Sequence, residues 1–174
     1  FRIAVGVKVI MENVVIRGGL VKATNSLSYG AGIKNEGTLT LDQVVIENNE
    51  LRCGLESCAF VLLGGGIINY GTVHMVDSTI RKNISERASA FINTGEDFII
   101  RNSTIADNYS NNAFVILNQS TLKIRNSTLS GNATGNGNAS GIYNTGILLI
   151  ESSTFANKGF TASITNANGA QVTI

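Results

Sequence analysis

Apolar and polar residues alternate in short bursts along the chain, and the bursts recur. Seven apolar-x-apolar pairs recur, all but the fifth just after a glycine-containing turn: Val9/Met11, Leu39/Leu41, Val73/Met75, Phe98/Ile100, Leu122/Ile124, Leu148/Ile150 and Val172/Ile174. Alternation with period two predicts a strand with one buried face. A second strand ends in Ile16, Ile46, Ile80, Ile105, Leu129 or Phe155, and a third carries Ile33, Ile67, Phe91, Ile116, Ile142 or Ile164. No stretch has the ten or more residues of helical period that helix-containing repeats require.

The bursts belong to one phrase. Residues 66–83 read Gly-Ile-Ile-Asn-Tyr-Gly-Thr-Val-His-Met-Val-Asp-Ser-Thr-Ile-Arg-Lys-Asn, and the phrase returns over 32–49, 90–108, 116–132 and 141–157, in part over 164–174. Residues 7–19 are the second half of an earlier copy. Its asparagines, Asn35, Asn69, Asn93, Asn118, Asn144 and Asn166, are spaced 34, 24, 25, 26 and 22 residues apart. A period that tolerates insertions marks a solenoid whose loops absorb the length changes. Copies stacked about 4.8 Å apart place like on like in parallel ladders.

The expected fold is therefore all-β: one domain over 1–174, a right-handed parallel β-helix, its hand following the usual crossover rule. It has about seven full or partial rungs of roughly 22–26 residues, with three short strands each. Two segments depart from the repeat, an insertion at 50–63 and a Gly/Asn-rich loop at 131–141. The repeating asparagines suit turns, because Asn tolerates left-handed backbone and its amide can bond to the rungs on either side. Asn35 to Asn166 form one such ladder; Asn49, Asn83, Asn108, Asn132 and Asn157 form another.

Composition narrows the function. The net charge is +1 and only 14% of residues are charged, without the basic cluster that phosphate binding needs, so no nucleic-acid partner is expected. No apolar run is long enough for a transmembrane helix. A hydrophobic share of 43% excludes a disordered chain. The absence of proline fits continuous ladders, to which proline donates nothing. The chain opens on Phe1 without a charged leader, which reads as a processed product or a fragment. Cys53 and Cys58 are candidates for a small disulfide loop, or two free thiols.

Candidate chemistry is sparse. Alternation points the single histidine, His74, outward between inward Val73 and Met75. Glu12 and Asp42 share an outward column on adjacent rungs, and Glu96, Asp97, Asp77 and Asp107 are the remaining candidate cation ligands. The column Arg17, Glu47, Arg81 alternates in sign and reads as cross-strand ion pairs. An outward run of Thr79, Thr104, Thr128 and Thr154 is the one array that ice binding could use, but Arg81 and Lys82 interrupt its flatness. No catalytic residue, metal site or cofactor is expected. Asn-x-Ser/Thr acceptor sequences occur at Asn83, Asn102, Asn108, Asn118, Asn126, Asn132 and Asn138. The 50–63 insertion, with Leu51, Leu55 and Phe60 expected to be exposed, is the first candidate contact loop.

The phrase Gly-Gly-Ile-x-Asn-x-Gly-Thr-Leu-x-Leu-x-Asn-Ser-Thr-Ile-x-x-Asn resembles the repeat of pectin-lyase-like right-handed β-helix proteins of microbial cell surfaces. It looks closest to adhesin-like and polymorphic outer-membrane-protein passengers. The resemblance implies a secreted or surface location and a structural or adhesive role. The sequence shows no polar cap on its first or last rung, from which end-to-end self-association is expected, or contacts to other surface proteins and glycans. The alternative the resemblance carries is a polysaccharide-binding or pectate-lyase-like polysaccharide-degrading β-helix. That enzyme's acidic groove, Gly-His-Gly and Arg-x-Lys signatures are missing from this sequence.

Overall fold

The computed structural model describes residues 1–23, 29–53, 63–135, 140–156 and 162–174. They form a parallel β-solenoid without a helix, its strands stacked turn upon turn into four sheets. The chain visits the sheets in a fixed order. In the second turn, Ile33–Asn35 lies in the first sheet, Thr38–Asp42 in the second, Val45–Glu47 in the third and Glu50–Cys53 in the fourth. The second sheet is seven strands deep, the third six and the fourth five, so about five turns are complete in all four.

Register follows the repeat residue by residue. His74 pairs with Thr40 on one side and Ile99 on the other, and Ile67 stacks between Ile33 and Phe91. Inward columns from the first three sheets build one core, including Ile33, Leu39, Ile46, Ile80, Ile105, Leu122 and Ile142, each no more than 1% exposed. Phe91 and Phe98, facing each other from two sheets of one turn, stack with centroids 4.2 Å apart. Fully burying such a side chain contributes roughly 1.5–3 kcal/mol.

The fourth sheet corrects the three-strand expectation. Its strands are Leu20–Ala23, Glu50–Cys53, Ile84–Ser85, Tyr109–Ser110 and Ala133–Thr134, the last three only two residues long. Ser85 and Ser110 turn inward and are fully buried, so these strands lack the alternating apolar pair that marks the others. The same sheet corrects Leu51. Expected as an exposed contact residue, it is 1% exposed, because it stacks inward on Val21 of the preceding turn. Ile174 also departs from its expected inward place: it lies past the last strand and is 87% exposed.

Close stacking dictates small residues at one corner. A Cβ on Gly71 would lie 2.0 Å from the carbonyl oxygen of Gly37, and one on Gly146 would lie 2.1 Å from that of Ser120. The corner after Asn93 holds one more residue than the corner after Asn118, because Asp97 pairs with Thr121, and Glu96 absorbs the difference.

Candidate functional site

Three polar ladders run inside the rod. In the first, each asparagine Nδ2 donates to the Oδ1 of the next: Asn35 to Asn69 at 2.7 Å, Asn69 to Asn93 and Asn93 to Asn118 at 2.9 Å, Asn118 to Asn144 and Asn144 to Asn166 at 2.7 Å. The same amides bond to the corner they sit in; Asn69 donates to Gly71 O and accepts from Gly71 N–H. The second ladder joins Asn49, Asn83, Asn108 and Asn132 at 2.9 to 3.0 Å. Asn157 lies outside the described residues. Because the ladder amides supply the acceptors that buried corner N–H groups need, the interior tolerates these polar columns.

Sequence reasoning missed the third ladder. The backbone N–H of Ser78 donates to Ser103 Oγ, that of Ser103 to Ser127 Oγ, and that of Ser127 to Ser153 Oγ, each at 3.1 Å. Each hydroxyl donates in turn to the carbonyl two residues earlier, as Ser103 does to Arg101 at 2.6 Å. The signal was the Ser of the recurrent Asp/Asn-Ser-Thr. The left-handed backbone expected of the ladder asparagines falls instead on residues just before the serine ladder and just before the second asparagine ladder. Asn13, Gln43, Asp77, Asn102, Asn126 and Ser152 form one such column and Asn48, Lys82 and Asp107 another, with φ between 47° and 55°.

The outer faces distribute the titratable candidates without concentrating them. Glu12 and Asp42 are in register on adjacent strands, yet the column continues with Val76, Arg101 and Arg125. His74 is exposed on the second sheet beside a hollow of about 270 Å³ lined by Met75, Val76, Ile99 and Arg101. Asp77 and Asp107 occupy different corners; Glu96 accepts from Thr72 Oγ1 at 2.8 Å and Asp97 pairs with Lys123 at 3.4 Å. Among the described residues no three His, Cys, Asp or Glu come together in a way that could hold a metal. Arg81 pairs with Glu47 at 2.8 Å, and Arg125 with Glu151 at 2.9 Å. Arg2 and Lys34 both reach Glu36 at 3.0 Å, and the Lys34 bond, then the Arg2 bond, hold the Glu36 carboxyl below its ordinary value. The Thr79–Thr154 run is continuous in register across the third sheet. No helix among the described residues is long and apolar enough to cross a membrane.

Two apolar features stand out. Several outward positions of the first turn are apolar, among the charged Lys8, Glu12 and Arg17 of the same faces: Ile10 is 68% exposed, Val15 56% and Leu20 66%, beside Phe1 and Val5. The same positions one turn later are Thr40, Val45 and Glu50. A hollow of about 740 Å³ opens there, lined by Phe1, Ile10, Met11, Glu12, Val14 and Val15. The second is a small buried cluster on the side of the first sheet away from the main core, where Ile68, Ile92 and Leu117, at most 7% exposed, pack with half-buried Tyr70, Phe114 and Tyr143. Phe114 and Tyr143 stack at 4.5 Å, and Lys34 sits 5.4 Å from the Tyr70 ring centre.

Of the three expected contact residues, only Leu51 lies among the described residues; Leu55 and Phe60 lie outside them. Cys58 does too, as does the side chain of Cys53, so the disulfide falls there as well. Comparison with protein-family models, curated proteins and solved structures gave no match to this chain.

Proposed function

We propose that this chain is a non-catalytic, extracellular right-handed β-helix of the pectin-lyase-like kind, serving as structure or for adhesion and associating end to end with further copies. The exposed apolar first turn is the observation that carries this reading. It places Ile10, Val15 and Leu20 at positions that are polar or half-buried one turn later. Head-to-tail stacking of a solenoid is a heterologous contact that does not close, so it builds a filament. The resemblance of the repeat to secreted surface proteins supports the extracellular placement.

Light scattering and negative-stain microscopy over a concentration series test it. The expected result is rods that lengthen with concentration, and shorter species for the outward Ile10→Glu/Val15→Glu chain at unchanged circular dichroism. A monodisperse monomer at all concentrations overturns it.

The polysaccharide reading is favoured by one observation, the half-buried Tyr70, Phe114 and Tyr143 beside the first sheet, since the part of an aromatic ring left open to solvent can stack on a sugar. Titration with oligogalacturonides, read by tyrosine fluorescence, tests that reading; an unchanged spectrum removes it.

A further inference from the structure

The seven Asn-x-Ser/Thr sequences meet opposite fates in the fold. Asn83, Asn108, Asn118 and Asn132 are all 0% exposed, and their side-chain nitrogens are committed. Asn83 Nδ2 donates to Ile46 O and to Asn108 Oδ1, both at 3.0 Å. Asn108 Nδ2 donates to Ile80 O at 3.0 Å and Asn132 Oδ1 at 2.9 Å. Asn118 Nδ2 reaches Ser120 O, Asn144 Oδ1 and Ile147 O at 2.7 to 3.0 Å, and Asn132 Nδ2 reaches Ile105 O at 2.8 Å. Asn102 and Asn126 are exposed corner residues with φ of 49° and 48°. Asn138 lies outside the described residues.

N-linked glycosylation forms a bond from a sugar anomeric carbon to that same Nδ2. The sugar leaves a lipid-pyrophosphate donor, the pyrophosphate departs with the bonding pair, and one amide proton is lost. At a ladder asparagine the product has one N–H for two or more acceptors, and a polar sugar where the next rung packs about 4.8 Å away. In pathways that modify the chain before it folds, all of these acceptor sequences are open.

We infer that the fold closes only when Asn83, Asn108, Asn118 and Asn132 stay unmodified, whereas Asn102 and Asn126 accept a glycan. The chain is therefore suited to a biosynthetic route in which Asn-x-Ser/Thr is not glycosylated before folding. This inference is independent of end-to-end association, because it concerns closure of the rungs within one chain.

The test directs the chain through the secretory pathway of a eukaryotic cell, unaltered and with the ladder sequences disabled at their third position (Ser85→Ala, Ser110→Ala, Ser120→Ala, Thr134→Val). Both chains are also made in a cytosol without glycosylation, to show by circular dichroism that each folds. The unaltered chain is expected to be retained with glycans on ladder asparagines. The disabled chain is expected to be secreted several-fold better, with glycans mapped to Asn102 or Asn126. Efficient secretion of a folded unaltered chain that carries a glycan on a ladder asparagine overturns the inference. If the fourfold variant fails to fold even without glycosylation, glycan mapping of the folded fraction of the unaltered chain decides. Ladder asparagines all bare in that fraction support the inference; a glycan on any one of them overturns it.

Discussion

One oxygen of Asn108 takes two hydrogen bonds from Asn83: Oδ1 accepts the Asn83 backbone N–H at 3.1 Å and its Nδ2 at 3.0 Å. Both donors are closed off from water, so this one oxygen satisfies the Asn83 N–H and one proton of Nδ2, which also donates to Ile46 O at 3.0 Å. The same double acceptance recurs one turn away in each direction, from Asn49 to Asn83 and from Asn108 to Asn132.

Asn108→Ala is therefore expected to cost about 2–4 kcal/mol, since each buried polar group left without a partner costs about 1–3 kcal/mol. The control is Asn111→Ala, whose exposed side chain bonds to Glu86 and whose loss is expected to cost under about 0.5 kcal/mol. Urea unfolding midpoints measure the difference; equal midpoints would refute the ladder's energetic role.

The serine positions separate in the same way. Ser103 Oγ both accepts and donates within the third ladder, so Ser103→Ala should cost about 1–3 kcal/mol. Ser85 Oγ is buried without a partner among the described residues. Its removal in Ser85→Ala is expected to leave the melting temperature unchanged or raised, read by differential scanning calorimetry.

Lys82 holds a left-handed backbone, φ 53°, a region that disfavours L side chains by roughly 1–2 kcal/mol. Gly131 fills the corner two turns on with φ 64°. Lys82→Gly should stabilise by up to about 1 kcal/mol, part of the relief being offset by glycine's freedom in the unfolded chain, whereas Lys82→Val should destabilise. Paired thermal melts decide the sign.

Glu36 makes stability depend on acid. Its folded pKa lies below the ordinary 4.5, chiefly through Lys34 and then Arg2, so its contribution is fully present above that value and is lost as pH falls through the lowered one. Glu36→Gln should flatten the acid limb of a melting-temperature profile, and added salt should flatten it in the unaltered chain. A limb equally steep in Glu36→Gln would assign it to other carboxylates.

Much of the rod is legible in the chain because a repeat states its own register: once Leu39, Val73, Phe98 and Leu122 are aligned, the pairing of every residue between them follows. The fourth sheet stays hidden because its inward Ser85 and Ser110 look like loop residues, and a two-residue strand has no period to detect. The outward cluster of Ile68, Ile92, Leu117 and Tyr143 hides for the opposite reason: each follows an inward apolar residue, and two adjacent apolar positions do not say which one faces the core.

Spacing and alternation by themselves determined the solenoid, its parallel register and the stacking of the asparagines, because stacking identical rungs satisfies every strand edge with the next copy of itself. Only the tertiary structure decided which polar groups lie inside and which apolar ones outside. Leu51 is buried by Val21, thirty residues earlier in the chain, and Asn83 and Asn102, both followed by an acceptor hydroxyl, end with one walled in and the other at a corner. Such outcomes depend on what each turn meets in the next, and no local pattern records that contact.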